Sequence, residues 1–318
     1  MSMQFMKNWV YKIKWALSLN SGNIGKIFKD LFSLLGFIAT ICTFEAQLLG
    51  TYKLTEVVKD LAAIWSLVVI MVLLVLKNRN PLSYEYTIKN SDIKVCLKVG
   101  DVLDSDSSIV IPTCTTFDTI TQDEFISKDS IQGQFQEKVL KNDIKNLDLS
   151  LQGNLDENGY KGITVENKNV GKKQRYLIGT VSKVTYYNKH YYFLAIANVN
   201  NNGKVTDGCF DNITCALEGF WNFMAEHGHT ENVAIPVIGT GKAGINGISR
   251  EEIIKIIILS FLAFNQDKKI TERLEIYIHP SDLIKKNINL KELGEYLYFK
   301  CKYSNMERNR EHSGRPLS

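Results

Sequence analysis

The residues best placed to do chemistry sit where one apolar run ends. Val233-Ala234-Ile235-Pro236-Val237-Ile238 leads into Gly239-Thr240-Gly241-Lys242-Ala243-Gly244-Ile245. A β-branched run of this length reads as a buried strand, and the glycines behind it let backbone approach a ligand closely. Successive backbone N–H groups in such a loop form a cradle for an anion, and a diphosphate suits it. Lys242 adds a positive charge. A tight turn that holds nothing uses the same residues. Ser249-Arg250-Glu251-Glu252 then reads as a capping box in front of a long apolar helix. In open α/β sheets, ligands sit outside the carboxyl ends of strands, on loops of this kind.

Two familiar nucleotide motifs are excluded. Gly239-Thr240-Gly241-Lys242-Ala243-Gly244 matches G-x-G-x-x-G, but a dinucleotide fingerprint needs its glycines to open the helix directly, and here Ile245 to Ile248 intervene. A Walker A loop needs Ser or Thr after the lysine, and Ala243 stands there. Neither metal nor cofactor chemistry is expected. The 6 cysteines (Cys42, Cys96, Cys114, Cys209, Cys215, Cys301) are scattered without a CxxC, so reduced thiols are expected rather than disulfides or zinc. His190, His227, His229 and His279 are isolated along the chain and pair with no acid.

An alternation of strands and helices must position the loop. Tyr84–Ile88 and Ile93–Val99 read as strands, followed by a turn at Gly100-Asp101. Ile109–Pro112 is a short buried strand running into Thr113-Cys114-Thr115-Thr116. A helix begins near Asp129-Ser130 with Ile131, Phe135, Val139 and Leu140 on one face. The Gly- and Asn-rich stretch from Gln152 to Lys173 reads as loops. Tyr176–Val184 and Tyr191–Val199 read as a hairpin turning at Asn188-Lys189. Phe210, Ile213, Leu217, Trp221 and Met224 mark another helix, and Leu274–Ile278 is a last strand before a helix near 290–299. This order predicts an α/β fold with a mixed sheet over residues 81–303, followed by a polar, loose tail over 304–318.

The N-terminal part is different. Residues 1–28 place Met6, Trp9, Val10, Ile13 and Leu17 at helical spacing opposite Lys7, Lys12 and Lys14, a basic amphipathic pattern suited to a membrane interface or to an ordinary surface helix. Residues 29–80 hold two apolar segments, Leu31–Leu49 and Leu61–Leu76. Each is borderline against the roughly 20 residues of a spanning helix. As a pair they read as a two-helix transmembrane hairpin, with a buried soluble hairpin as the alternative. Lysines precede the first segment, and Lys77 with Arg79 follows the second, which puts both ends on the cytoplasmic side of an inner membrane. Ser33, Thr40, Thr43 and Glu45 give the first segment a polar side for association with further copies.

The net charge is +4, and residues 1–76 carry 7 Lys/Arg against 4 Asp/Glu while the rest carries 31 against 30. A nearly neutral folded domain lacks the basic stripe that nucleic acid needs, so no nucleic-acid partner is expected.

The order of these features resembles a macro domain, the ADP-ribose-binding three-layer α/β/α fold, over roughly residues 84–300. Gly100-Asp101-Val102 matches that family's Gly-Asp, in which the Asp holds the adenine amino group. Ile109-Val110-Ile111-Pro112-Thr113-Cys114 matches the strand and loop along the distal ribose, and Ile238-Gly239-Thr240-Gly241 matches the loop that wraps the diphosphate. Cys114 stands where hydrolytic macro domains carry Asn. A thiol does not replace an amide, so the resemblance implies a ligand reader and not an enzyme. With the N-terminal hairpin, Ser130-Ile131-Gln132-Gly133 and the Pro236–Gly241 loop, the chain is similar to the transmembrane-macro effectors of Thoeris anti-phage systems.

That resemblance implies a partner TIR-domain enzyme that makes a nucleotide signal, histidine conjugated to ADP-ribose. It also implies an effector that binds the signal, forms a homo-oligomer and disrupts the membrane lipid. The implied ligand-binding set is Asp101, Val102, Thr113, Cys114, Thr115, Thr116, Ser130, Gln132, Gly239, Thr240, Gly241, Lys242, Ala243, Gly244 and Ile245, with no catalytic residue and no cofactor. A membrane-anchored ADP-ribose hydrolase and a ligand-free membrane scaffold are the alternatives.

Overall fold

Seven strands join into one sheet with the order β1-β2-β9-β8-β3-β7-β6. The strands are β1 (Ser83–Thr87), β2 (Lys94–Val99), β3 (Ser108–Cys114), β6 (Val181–Tyr186), β7 (Lys189–Ala197), β8 (Val233–Pro236) and β9 (Arg273–Ile278). A separate two-stranded ribbon pairs β4 (Ile163–Thr164) with β5 (Gln174–Arg175). β2, β9, β8, β3 and β7 run parallel, and β1 and β6 close the edges antiparallel. The mixed α/β sheet is the one expected. These features come from a computed structural model, which describes residues 3–17, 21–44, 47, 61–120, 126–141, 143–206, 209–227, 231–239, 248–266, 269–286 and 288–311. The chain divides into two units, Met1–Leu82 and Ser83–Ser318.

The central strands are apolar on both sides because helices cover both faces. On one face Ile109, Ile111 and Phe193 pack with Phe135 of α4 (Ile131–Lys138) and Leu147 and Leu151 of α5 (Ile144–Glu157). On the other, Tyr192 meets Phe220 of α6 (Phe210–Glu226) at 5.7 Å, and Trp221 meets Phe261 of α7 (Arg250–Phe264) at 5.3 Å. The indole N–H of Trp221 donates to Ser260 at 3.0 Å, so its one polar atom is satisfied in the core. The Ser249–Glu252 capping box forms as the sequence predicts. After β9 come α8 (Pro280–Lys285) and α9 (Leu290–Glu311), whose Tyr298 packs on Tyr86 of β1. α9 runs past Tyr303, where a loose tail was expected to begin.

Two expectations are corrected. The stretch from Gln152 was expected to be loop, but α5 runs through it to Glu157. Leu147, Leu151 and Leu155 recur every fourth residue and are buried, and Asp143 caps the start through Asn146 N. This apolar face outweighs the low propensity of Gly153 and Asn154. The hairpin turns at Tyr187-Asn188, one residue earlier than expected, with both at positive φ (48° and 58°). Two left-handed residues match the twist of the flanking strands. A one-residue slip would put every side chain on the wrong face.

A charged cluster crosses the sheet surface at Glu275. Its carboxylate accepts from Lys98 Nζ at 2.5 Å, Arg273 Nε at 2.8 Å and Ser105 Oγ at 3.1 Å. Burial opposes its charge, but the bonds from Lys98 and Arg273 win and hold its pKa below the ordinary 4.5. A depressed carboxylate pKa contributes stability that is complete above 4.5 and is lost as pH falls through the folded value. Glu275→Gln is therefore expected to flatten the acid side of the stability–pH curve measured by urea unfolding; an unchanged acid slope refutes this.

The N-terminal unit consists of α1 (Met3–Ala16), α2 (Ser21–Phe44) and α3 (Leu61–Lys77). Lys77 Nζ lies 3.0 Å from Asp30 and Asn78 Nδ2 lies 3.3 Å from it, so the end of α3 returns to the first half of α2 in antiparallel fashion. Asn80 Nδ2 donates to Trp15 O at 3.0 Å and ties α1 to the same end. Among the described residues no helix is long and apolar enough to cross a membrane. α3 is apolar throughout but has 17 residues, roughly 26 Å at the helical rise against a hydrocarbon core of about 30 Å. α2 is longer, but its first half carries Lys26, Lys29 and Asp30.

Candidate functional site

The sheet order brings together segments that are far apart in sequence. β2, β9, β8 and β3 are neighbours and parallel, so their carboxyl ends share one edge. Asp101 follows β2, His279 follows β9, Gly239 follows β8, and β3 ends at Cys114. Three inter-strand steps from β2 to β3 cover roughly 14 Å, a span that an extended ADP-ribose can cross. Among the described residues β8 pairs with β3 at Ser108 and Ile109 alone, whereas β7 pairs with β3 up to Cys114. The β8 side of Val110–Cys114 is thus left for the loop that departs at Gly239, whose φ of 71° suits glycine. Strand order also reverses in direction around β3, the kind of place where α/β sheets bind ligands. Thr240, Gly241, Lys242, Ala243, Gly244 and Ile245 lie outside the described residues.

Asp101 is buried and already oriented. Its Oδ1 accepts from Leu103 N at 3.1 Å, capping the 3-10 turn Val102–Asp104. Its Oδ2 lies 3.6 Å from Lys138 Nζ of α4. The side chain of Val102 belongs to the core, which leaves its backbone for a ligand. His279 was singled out in the sequence only as isolated, yet it ends the strand beside β2. Its Nδ1 accepts from Ser281 N at 3.3 Å and contacts Ser281 Oγ at 2.7 Å, which fixes the ring at the start of α8. Burial pushes its pKa below 6.5, against the pull of Asp282 and Asp101. A strand-end position next to Asp101 was the signal for it, and that signal requires knowing strand order.

The end of β3 is held by a polar cluster that the sequence did not reveal. The register against β7 shifts between Thr113 and Cys114, and Cys114 stays paired with Ala197. Thr116 Oγ1 donates to Asp118 Oδ2 at 2.6 Å. Lys168 Nζ, with a fully buried side chain, bonds Asp118 Oδ2 at 2.5 Å, Thr116 Oγ1 at 2.9 Å and Lys172 O at 2.8 Å. Lys172 N donates to the other Asp118 oxygen at 2.6 Å. Gly171, at φ 81°, makes this possible, because a Cβ there would come within 2.3 Å of Asp118 Oδ1. Asp118 and Lys168 carry no local motif and are fifty residues apart, so only the folded chain pairs them.

The other expected site residues take distinct places. Cys114 Sγ lies 3.4 Å from Thr116 Oγ1 and 3.7 Å from Asp118, and burial with the Asp118 charge pushes its pKa up. Both effects favour the thiol over the thiolate. Thr115 is fully buried and its hydroxyl bonds Asn198 at 3.2 Å, which makes it a brace of the loop. Ser130 caps α4, accepting from Gly133 N at 3.0 Å and donating to Ser127 O at 2.6 Å. Gln132 Nε2 donates to Asp118 O at 2.8 Å. Thr113 differs from all of these: its hydroxyl is buried at the strand end with no hydrogen-bond partner among the described residues. Among the described residues no group of side chains could hold a metal ion.

Solved structures similar to this chain include several macrodomains. An Oceanobacillus iheyensis macrodomain variant with ADPR is 13% identical, with a TM-score of 0.45 over 67% of this chain and 99% of that one. The same organism's macrodomain with MES bound is 11% identical, with a TM-score of 0.43 over 71% and 98%. A Trypanosoma brucei macrodomain in complex with ADP-ribose is 10% identical, with a TM-score of 0.41 over 67% and 71%. No curated protein matches the chain. A family model described as Thoeris protein ThsA, Macro domain, matches residues 95–279, more than half of the chain and the whole of the edge from β2 to the end of β9. The chain belongs to the Thoeris ThsA macro-domain family.

Proposed function

We propose that this protein is a ligand-sensing effector whose macro domain binds an ADP-ribose-derived signal made by a TIR-domain partner enzyme. The observation that carries the reading is the shared edge of β2, β9, β8 and β3. It aligns Asp101, the Gly239 turn and the Thr113–Thr116 segment in the order in which adenine, diphosphate and distal ribose follow one another in ADP-ribose. Asp101 accepts the adenine amino group. The backbone from Gly239 onward cradles the diphosphate. Thr113 offers the distal ribose a buried hydroxyl that has no partner among the described residues, and an unsatisfied buried group of this kind costs about 1–3 kcal/mol until a ligand meets it.

The output is membrane damage by an assembled form. Support comes from the apolar surface of the N-terminal helices. Trp9 and Val10 of α1, Phe32 and Phe37 of α2, and Val69 and Leu73 of α3 are all exposed. Large apolar side chains exposed on all three helices suit a lipid or protein partner. The basic character of the N-terminal part favours the anionic inner membrane. In this proposal α2 and α3 form the two-membered membrane hairpin, with both ends and the macro domain on the cytoplasmic side, and the signal drives homo-oligomerisation. A ligand shifts such an equilibrium only by binding the assembled state more tightly than the resting one.

The direct test uses the full chain in dye-loaded liposomes of anionic lipid. Histidine-conjugated ADP-ribose is expected to release dye, and absence of ligand-dependent release sinks the membrane half of the proposal. Incubation with ADP-ribosylated protein is expected to free no ADP-ribose. Turnover there establishes the hydrolase instead.

A further inference from the structure

The seven-stranded sheet ends in two edge strands, β1 and β6, and they are finished differently. An uncovered edge is a template for another strand, so proteins cover or blunt it. At β6, Ala195 N of β7 donates to Thr180 O at 3.0 Å, so odd residues of β6 face outward. Two of them are met from within the domain. Lys183 N donates to Asn154 Oδ1 of α5 at 2.6 Å, and the Tyr160 hydroxyl accepts from the backbone of Val181.

β1 has no such cover among the described residues. Ile88 N donates to Ile93 O at 2.9 Å in the register of the β1–β2 pair. Bonded residues alternate along an antiparallel pair, so Tyr84 and Tyr86 bond β2. Ser83, Glu85 and Thr87 therefore turn their N–H and C=O groups outward. All three are exposed, and their backbone groups have no hydrogen-bond partner among the described residues. The strand holds neither Pro nor Lys and pairs with β2 in unbroken register. Its one charge, Glu85, is drawn back onto its own sheet by Arg273 Nη2 at 2.5 Å and Lys94 Nζ at 3.5 Å.

We infer that β1 is the surface through which two copies of this chain pair, antiparallel and edge to edge, so that one sheet continues across a two-fold axis. The inference rests on the proposed homo-oligomerisation and names a surface for it. A second copy fits because an antiparallel edge is self-complementary: each outward residue offers one donor and one acceptor, and a two-fold axis matches them. An axis through Tyr86 sets Glu85 of one copy opposite Thr87 of the other, so like charges do not face each other. It also joins the two Tyr86 rings in a non-hydrogen-bonded pair, where side chains come closest. Each ring already meets Tyr298 of α9 at 5.3 Å on that face. About four backbone bonds result. That is a weak contact in free solution, but copies held in one bilayer meet at high effective concentration.

The test uses the full chain in anionic liposomes with histidine-conjugated ADP-ribose. Glu85→Cys and Thr87→Cys are made separately, each with the exposed Cys209 and Cys215 changed to Ser. Under mild oxidation the mixture of the two variants is expected to yield several-fold more disulfide dimer than either alone. A mixture yielding no more dimer than a single variant overturns the pairing, whether the edge takes another chain or none. Thr87→Pro removes an outward N–H while leaving the β1–β2 bonds, and Pro is tolerated on an edge strand. It is expected to keep its affinity for the conjugate by calorimetry and to lower dye release roughly tenfold, the scale of two lost hydrogen bonds. Thr87→Val keeps the N–H and is expected to release dye as the wild-type chain does. Wild-type release from a Thr87→Pro chain that still binds the conjugate overturns the edge and leaves the proposed function standing. No release by the wild-type chain, together with no dimer in the mixture, overturns the proposed assembly and the edge together.

Discussion

Asp118→Ala is expected to remove about 3–5 kcal/mol of stability, a midpoint drop on the order of 6–20 °C for a domain of this size. The reason is Lys168. Its side chain is wholly buried, and Asp118 is its only carboxylate partner among the described residues. Removing the acid leaves an ammonium away from water with only a hydroxyl and a carbonyl for company. Breaking one side of a buried pair costs far more than the pair contributes net, because the remaining charge stays desolvated. The double variant Asp118→Leu with Lys168→Met is therefore expected to recover most of the lost midpoint, since no buried charge is left. The pair also holds the ends of two loops, so ligand affinity is expected to fall in Asp118→Ala even well below its midpoint. Differential scanning calorimetry on both variants decides. A shift under about 2 °C in Asp118→Ala shows that the pair carries no such load.

The second large effect falls on binding. Asp101→Ala is expected to weaken ADP-ribose roughly 10- to 150-fold, the equivalent of one hydrogen bond to a charged acceptor at about 1.5–3 kcal/mol. Stability is expected to fall by about 1 kcal/mol, the scale of a lost cap, because Asp101 Oδ1 caps the 3-10 turn through Leu103 N and Lys138 Nζ, 3.6 Å from its Oδ2, is partly exposed. Asp101→Asn separates the two roles. It removes the charge and leaves one acceptor oxygen to be shared by Leu103 N and the adenine amino group, so its affinity is expected to lie between the other two. Unchanged affinity in Asp101→Ala refutes the adenine assignment and leaves the Gly239 edge to be explained by another ligand.

Local patterns carried much of the fold. The strands at 94–99, 109–112, 191–197, 233–236 and 274–278 lie where β-branched runs predicted them, and so do the helices behind Ser130 and Ser249. Caps and periodicity are local physics, legible one residue after another. The errors came where local signals conflict. α5 was hidden by Gly153 and Asn154, although Leu147, Leu151 and Leu155 mark its face. The hairpin slipped by one residue because Asn188 tolerates either turn position, and the packing of Tyr191 and Phe193 against Phe135 chose between them.

The membrane question divides in the same way. Charge asymmetry and apolar runs are properties of the sequence, and they motivate the hairpin. Helix extent is a property of the structure, and among the described residues no helix is both long and apolar enough for a span. The exposed apolar faces of α1, α2 and α3 keep a lipid partner in the proposal, and the liposome measurement weighs the two.

By itself the sequence determined the glycine turn after β8, the acid after β2 and the small polar loop after β3 as three candidate segments, because each is a local departure from a buried strand. It also placed the capping box that starts α7. Only the tertiary structure decided that the three segments share one edge, since strand order depends on crossover connections that no local pattern encodes. It alone added His279 and the buried Asp118–Lys168 pair. Those features are made by residues far apart in the chain whose meeting is set by sheet packing.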